Sequence, residues 1–212
     1  MNELDRIGDH IVAYFEIKNE VRENALNTAR QLTRQCANTI RAIHRMEWDE
    51  AKTMLEETRT IAHSLRQLLQ NHHDLYHTGY TQDALKEYVE AQLMYAFVRG
   101  ETIPTPETLD VIPSTYINGM AEAATELRRH ILDLIRQSKM EDAERLLDTM
   151  DTVYTILITM DFSDAITGGL RRRTDVVRSV AQNTRADVTM SLRQQRLENA
   201  IELLLQKLTE QK

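Results

Sequence analysis

Glu87 and Glu90, in the segment LKEYVEAQLMYAFV, stand three residues apart. On a helix that spacing puts both side chains on one face, with Cβ atoms about 5–6 Å apart. Two carboxylates so placed can share a hard divalent cation such as Mg²⁺ or Mn²⁺, which prefer oxygen ligands. The spacing alone is common in this chain: Glu47/Glu50, Glu141/Glu144, Asp148/Asp151 and Asp161/Asp164 repeat it, and most such pairs are solvated faces. What separates Glu87 and Glu90 is their company. Their stripe continues through Met94 and Phe97, with Ala91 and Val98 alongside, and a carboxylate among residues that want burial is costly unless a cation meets it. Asp151 reads the same way, on a stripe with Leu147, Tyr154 and Ile158, whereas Asp148 shares a polar line with Glu144, Thr152 and Thr155. Asp151 is therefore expected to face inward and Asp148 outward. Either a metal ion or an arginine would satisfy these three acids, and on spacing and burial alone the arginine is slightly favoured. Glu126, near His130 and beside the stripe of Met120, Leu127 and Ile131, is a weaker fourth acid for a metal.

Other chemistries find less support. A di-iron carboxylate site needs Glu-x-x-His on two helices, and none of the seven histidines has a glutamate three residues before it. Cys36, the single cysteine, falls in an apolar stripe and reads as a core thiol rather than a nucleophile. It allows no internal disulfide and fits a reducing compartment. The sequence contains neither a glycine-rich phosphate loop nor a zinc-type Cys/His cluster.

The cations are clustered. Arg171, Arg172 and Arg173 open a helix, where they oppose its dipole, and Arg178 and Arg185 follow; Arg128 and Arg129 adjoin His130; His72, His73 and His77 gather with Tyr76 and Tyr80. Cations beside histidine and aromatic rings suit single-stranded RNA, which is held by stacking plus phosphate contact, although a basic run is more often a solvated face. The net charge of −7 argues mildly against a nucleic-acid partner unless the cations share one surface.

The elements that must position these residues are helices. In 212 residues there are only 3 prolines and 6 glycines, while 42% of the chain is apolar, enough for a core. Ala25, Ala29, Leu32, Cys36, Ile40 and Ile43 recur at spacings of three and four, predicting a very long first helix that Ile11, Phe15 and Val21 extend backwards. A break near Met46 and Trp48 leads to a second helix with Ala51, Leu55, Ile61, Leu65, Leu68 and Leu69 as its apolar positions. The stretch NHHDLYHTGY reads as a turn, with Thr81 or Asp83 capping a third helix that Gly100 ends. All three prolines fall in a loop of about 100–113. Ser114 is the expected N-cap of a fourth helix running to about Ser138; a fifth starts near Glu141 and fades by Asp161. Gly168–Gly169 then precedes a long last helix, striped by Val177, Val180, Thr184, Val188, Leu197, Ile201, Leu204 and Leu208. The expected fold is all-α, one helical-bundle domain over residues 1–212, with first and last helices longer than such a core needs, so that their ends pack on other subunits. With no apolar run long enough to span a bilayer and an acidic, non-secretory opening MNELDRIGDH, the chain is expected to be soluble and cytoplasmic, without a membrane partner.

Taken together, ALNTARQLTRQCANTIRAIHRM, LKEYVEA, TYINGMAEAATELRR, LLDTMDTVYTIL and GLRRRTDVVRSVAQNTRADV, in that order over about residues 20–192, resemble the translin family, and among its branches most closely translin-associated factor X. The resemblance implies a translin-like all-α fold and a metal-dependent endoribonuclease acting on single-stranded or loosely structured RNA. Glu87, Glu90 and Asp151 would be the catalytic ligands of Mg²⁺ or Mn²⁺, with Glu126 as a possible addition. Arg171, Arg172, Arg173, Arg178, Arg129, His73 and His77 are the expected RNA contacts. It also implies a closed homo-oligomer, an octamer, which a related translin-like subunit can join. A non-catalytic RNA-binding scaffold, or a helical assembly protein with no nucleic-acid role, are the alternatives.

Overall fold

The computed structural model describes residues 3–210. Among them nine helices follow one another and no strand occurs, so the all-α expectation holds. The chain divides into two compact units, one formed by the chain up to Ala96 together with Thr102–Gly119, the other by Phe97–Glu101 together with the chain from Met120 onward.

In the first unit, α1 (Glu3–His44) runs 42 residues and turns back through Met46, whose backbone is left-handed (φ 60°), into α2 (Trp48–Leu69), which packs along it. The predicted stripe of α1 is buried from Ala25 to Ile43. On α2, Ala51, Leu55, Leu65 and Leu69 are buried as the spacing predicts, with Thr58 and Ala62 on the same face, while Ile61 and Leu68 lie at its margin. The expected turn contains a helical turn of its own, α3 (His73–Tyr76). The next helix, α4 (Gly79–Arg99), starts ahead of either expected cap. Thr81 does not cap it: its hydroxyl, like that of Thr78, donates to the Leu75 carbonyl (3.0 and 2.6 Å), so the two threonines stitch α3 to the first turn of α4. From Tyr88 to Val98 every residue of α4 is buried, the signature of a helix surrounded by others. Gly100 ends it with φ 64°, as its position predicted. In the proline loop Thr105 caps a short α5 (Pro106–Leu109). The following helix, α6 (Pro113–Arg136), begins on Pro113 itself rather than after Ser114, because a proline at the first helical position gives up only an N–H that would be unsatisfied anyway.

In the second unit, α6 is followed by α7 (Met140–Ile158), a four-residue α8 (Asp164–Thr167) and α9 (Leu170–Glu210, 41 residues), with α7 packed along α9. Gly168 and Gly169 are both left-handed (φ 65° and 81°) and separate α8 from α9. The stripe of α9 is buried at Val177, Ala181, Thr184 and Val188, but Leu197, Ile201, Leu204 and Leu208 are exposed. No described helix is long and apolar enough to cross a membrane.

Candidate functional site

The acids of α4 are positioned by close helix packing. Gly119 of α6 lies against the stretch of α4 that carries Glu87 and Glu90: a Cβ at Gly119 would sit 2.7 Å from the Val89 Cβ and 2.8 Å from the Lys86 carbonyl oxygen. Only a glycine permits that approach. On the side facing α2, the Gln92 amide donates to the Leu55 carbonyl (3.2 Å) and the Thr58 hydroxyl (3.3 Å). These contacts fix the height and rotation of α4, and with them both carboxylates.

Glu90 is buried, and the Glu87 side chain is about a third exposed (30%), with Lys86 Nζ at 3.4 Å from its Oε1. Both carboxylates bear on the same residue of α1. The Cys36 thiol is pushed well above its ordinary range, first by burial and then by the negative fields of Glu87 and Glu90. Cys36 is thus a buried core thiol, as its stripe predicted. Burial disfavours a charge of either sign there, and the two carboxylates add a field that opposes a thiolate.

In the second unit acids and arginines pair between α9 and its neighbours α6 and α7. Asp151 Oδ1 accepts from Arg185 Nη2 at 2.5 Å, Glu122 Oε1 of α6 from Arg173 Nε at 2.9 Å, and Asp187 lies 2.8 Å from Arg128 Nη2, whose other nitrogen reaches the Thr184 hydroxyl at 3.1 Å. Asp151 is half-buried and Asp148 exposed, the inward–outward order that their stripes predict. Arg145 donates to the carbonyls of Phe97 and Val98 (both 2.9 Å), closing the C-terminal end of α4. Glu126 is half-buried on α6.

The expected RNA contacts divide into two kinds. Arg171, Arg172 and Arg129 are exposed, and Arg178 is exposed with Asp175 3.5 Å away. Arg173 instead spans from Glu122 to the Gly168 carbonyl (3.5 Å). In the first unit His73 and His77 are exposed, His77 edge-on to Tyr76 at 5.0 Å.

No protein-family model matches the chain. It is 31% identical over 190 residues to the uncharacterized protein MJ0175 of Methanocaldococcus jannaschii, covering 89% of this chain and 82% of that one. Among solved structures it is similar to AfC3PO, at 27% identity over 88% of this chain and 96% of that one with a TM-score of 0.79. It is also similar to the AfC3PO–duplex RNA complex, at 28% over 86% and 95% with a TM-score of 0.76. Apo-NeC3PO, 19% identical over 90% of this chain and 98% of that one, shares the fold with a TM-score of 0.78. C3PO is the complex of translin with translin-associated factor X. These likenesses support the translin family for this chain.

Glu122 of α6, absent from the acids that spacing and burial single out, meets Arg173 from 51 residues away. Asp151 lies on an inward stripe, and the arginine that meets it comes from 34 residues later. Both partners are beyond the reach of helical periodicity.

Proposed function

We propose that this translin-family protein is a metal-dependent endoribonuclease acting on single-stranded or loosely structured RNA inside a closed homo-oligomer, an octamer. The observation that carries the reading is the pair of adjacent carboxylates on α4, one buried and the other largely so, whose fields converge on Cys36 in the interior. We assign Mg²⁺ or Mn²⁺ to Glu87 and Glu90 of α4. The donor set fits: it offers carboxylate oxygens alone, the ligands these hard cations prefer. Asp151 stays with Arg185 in this assignment and supports the α7–α9 packing.

When bound, such a cation supplies charge stabilisation at a phosphate and activates water. The chain's own groups do the rest. Lys86 offsets the charge of Glu87 from the neighbouring position on α4. Arg173 holds the Glu122 carboxylate in one orientation. Arg171, Arg172, Arg178 and Arg129 offer guanidinium groups to RNA phosphates, and His73 and His77 offer rings for stacking. RNA binding by a protein of net charge −7 follows if these cations face the enclosed side and the excess acid faces out. The similar AfC3PO has a structure in complex with duplex RNA, which supports an RNA ligand.

The test is cleavage of labelled RNA, single-stranded and duplex in parallel, with Mg²⁺ or Mn²⁺, by wild type and by Glu87→Gln/Glu90→Gln. Loss of supporting residues around a metal typically costs about 10–100-fold, so removing two ligands should cost more than about 100-fold while helicity and assembly mass stay unchanged. Undiminished cleavage by the double variant rules the site out. A second reading, an RNA-binding scaffold without cleavage, is favoured by the Glu122–Arg173 and Asp151–Arg185 pairs, which already neutralise two acids. Salt-sensitive RNA retention by a wild type that never cleaves would select it.

A further inference from the structure

The α4 acids have a cation of their own. Lys86 stands four residues before Glu90, a spacing that makes two side chains neighbours on one helix face, with Cβ atoms about 5–6 Å apart. Its Nζ also lies 3.4 Å from the Glu87 Oε1. One ammonium therefore adjoins both carboxylates. Two features set it apart from a surface lysine. Its side chain is only 12% exposed, although a lysine on a solvated face keeps its head in water. Its backbone is fixed by the close approach of Gly119 to the Lys86 carbonyl, between the buried Leu85 and Val89. The contact with Glu87 is nevertheless loose. At 3.4 Å it is longer than the about 2.7–2.9 Å of a tight charge-assisted hydrogen bond, whereas Arg185 meets Asp151 at 2.5 Å.

We infer that Lys86 is the resident cation of the α4 carboxylates, displaced only by a divalent ion, and so makes the site selective for divalent over monovalent ions. This deepens the proposed metal assignment and rests on it. Two carboxylates one turn apart, one of them buried, raise each other's cost of charging, and a matching cation lowers it. Lys86 supplies that cation as a compact charge with three N–H donors on a flexible four-carbon stem. A free K⁺ or Na⁺ brings the same single charge against a group already tethered in place, so the exchange gains nothing. Against Mg²⁺ or Mn²⁺, with twice the charge and a preference for oxygen ligands, a single loosely held ammonium yields. Its stem is flexible, so it can leave without moving the helix that carries both acids.

The test is Mn²⁺ titration of the full chain as wild type, Lys86→Met, Lys86→Gln, Lys86→Arg and Glu90→Gln, at low and high KCl. Met and Gln are both strong helix formers, and circular dichroism checks that each variant keeps its helicity. A unit charge this close to a carboxylate changes its affinity for a proton by about 10-fold or more. Lys86→Met and Lys86→Gln should therefore bind Mn²⁺ about 10-fold more tightly at low KCl. That gain should shrink as KCl rises, because K⁺ then competes for the place the ammonium left. Lys86→Arg, which keeps the charge, should bind as wild type does. A lysine that serves only to pack α4 would instead lower Mn²⁺ affinity when replaced. Uncharged variants that bind Mn²⁺ no more tightly than wild type, or a Lys86→Arg as tight as Lys86→Met, overturn the inference, while a weakened Glu90→Gln leaves the metal site standing. Wild-type affinity in Glu90→Gln overturns the site itself, and the inference with it.

Discussion

Two inward-turned acid regions of this molecule meet different fates. On α4, Glu87 and Glu90 sit on successive turns of a helix buried nearly all round, and their fields add at Cys36. On α7, Asp151 also turns inward, but it meets Arg185 at 2.5 Å and stays about a third exposed. An apolar stripe reports only that an acid leaves the solvent, which it must not do alone. It is silent about what meets the acid there. That is decided by a different helix, 34 residues further on for Asp151. The α4 acids are concentrated by close packing on Gly119, whereas the α7 acid is spent on holding two helices together.

The contrast predicts a graded series of perturbations. Gly119→Ala should have the largest effect on stability, because the new methyl would meet the Val89 Cβ at 2.7 Å and a backbone oxygen at 2.8 Å. Overpacking of this kind costs about 1–3 kcal/mol, and the displaced α4 should lose RNA cleavage as well, measured by thermal unfolding and turnover on the same preparation. A variant as stable and as active as wild type would show that the close approach of α6 does not set the acids. Asp151→Asn should have the smallest effect. Its ion pair is partly solvated, a class worth about 0–1 kcal/mol, so the unfolding midpoint should barely move and cleavage should persist. Cleavage abolished with stability unchanged would return Asp151 to the metal and break the comparison.

How far the sequence could be read follows from which forces are local. The long first helix and the buried run from Ala25 to Ile43 were legible because one stripe repeats within one element. Gly100 and the proline loop were legible because backbone chemistry announces itself. The start of α4 was not: Thr81, a good cap by type, is used by the Leu75 carbonyl six residues earlier, and that competition is visible only in three dimensions. The last helix shows both sides. Its period continues to Leu208, but the structure splits the stripe into a buried half and an exposed half on a different face, a distinction that spacing blurs. At the site, Glu87 and Glu90 could be found from their neighbours, and Arg173 could be noticed as a cation in the wrong place for a helix dipole. Its partner Glu122, 51 residues before it, could not.

The central claim is that the acids of α4, Glu87 and Glu90, rather than Asp151, hold a divalent cation. Titration of Mn²⁺ into wild type, Glu90→Gln and Asp151→Asn tests it most directly, with no dependence on RNA or turnover. The account predicts that Glu90→Gln weakens Mn²⁺ binding by at least about 10-fold, while Asp151→Asn binds as wild type does. The reverse order, with affinity lost in Asp151→Asn and kept in Glu90→Gln, would contradict it.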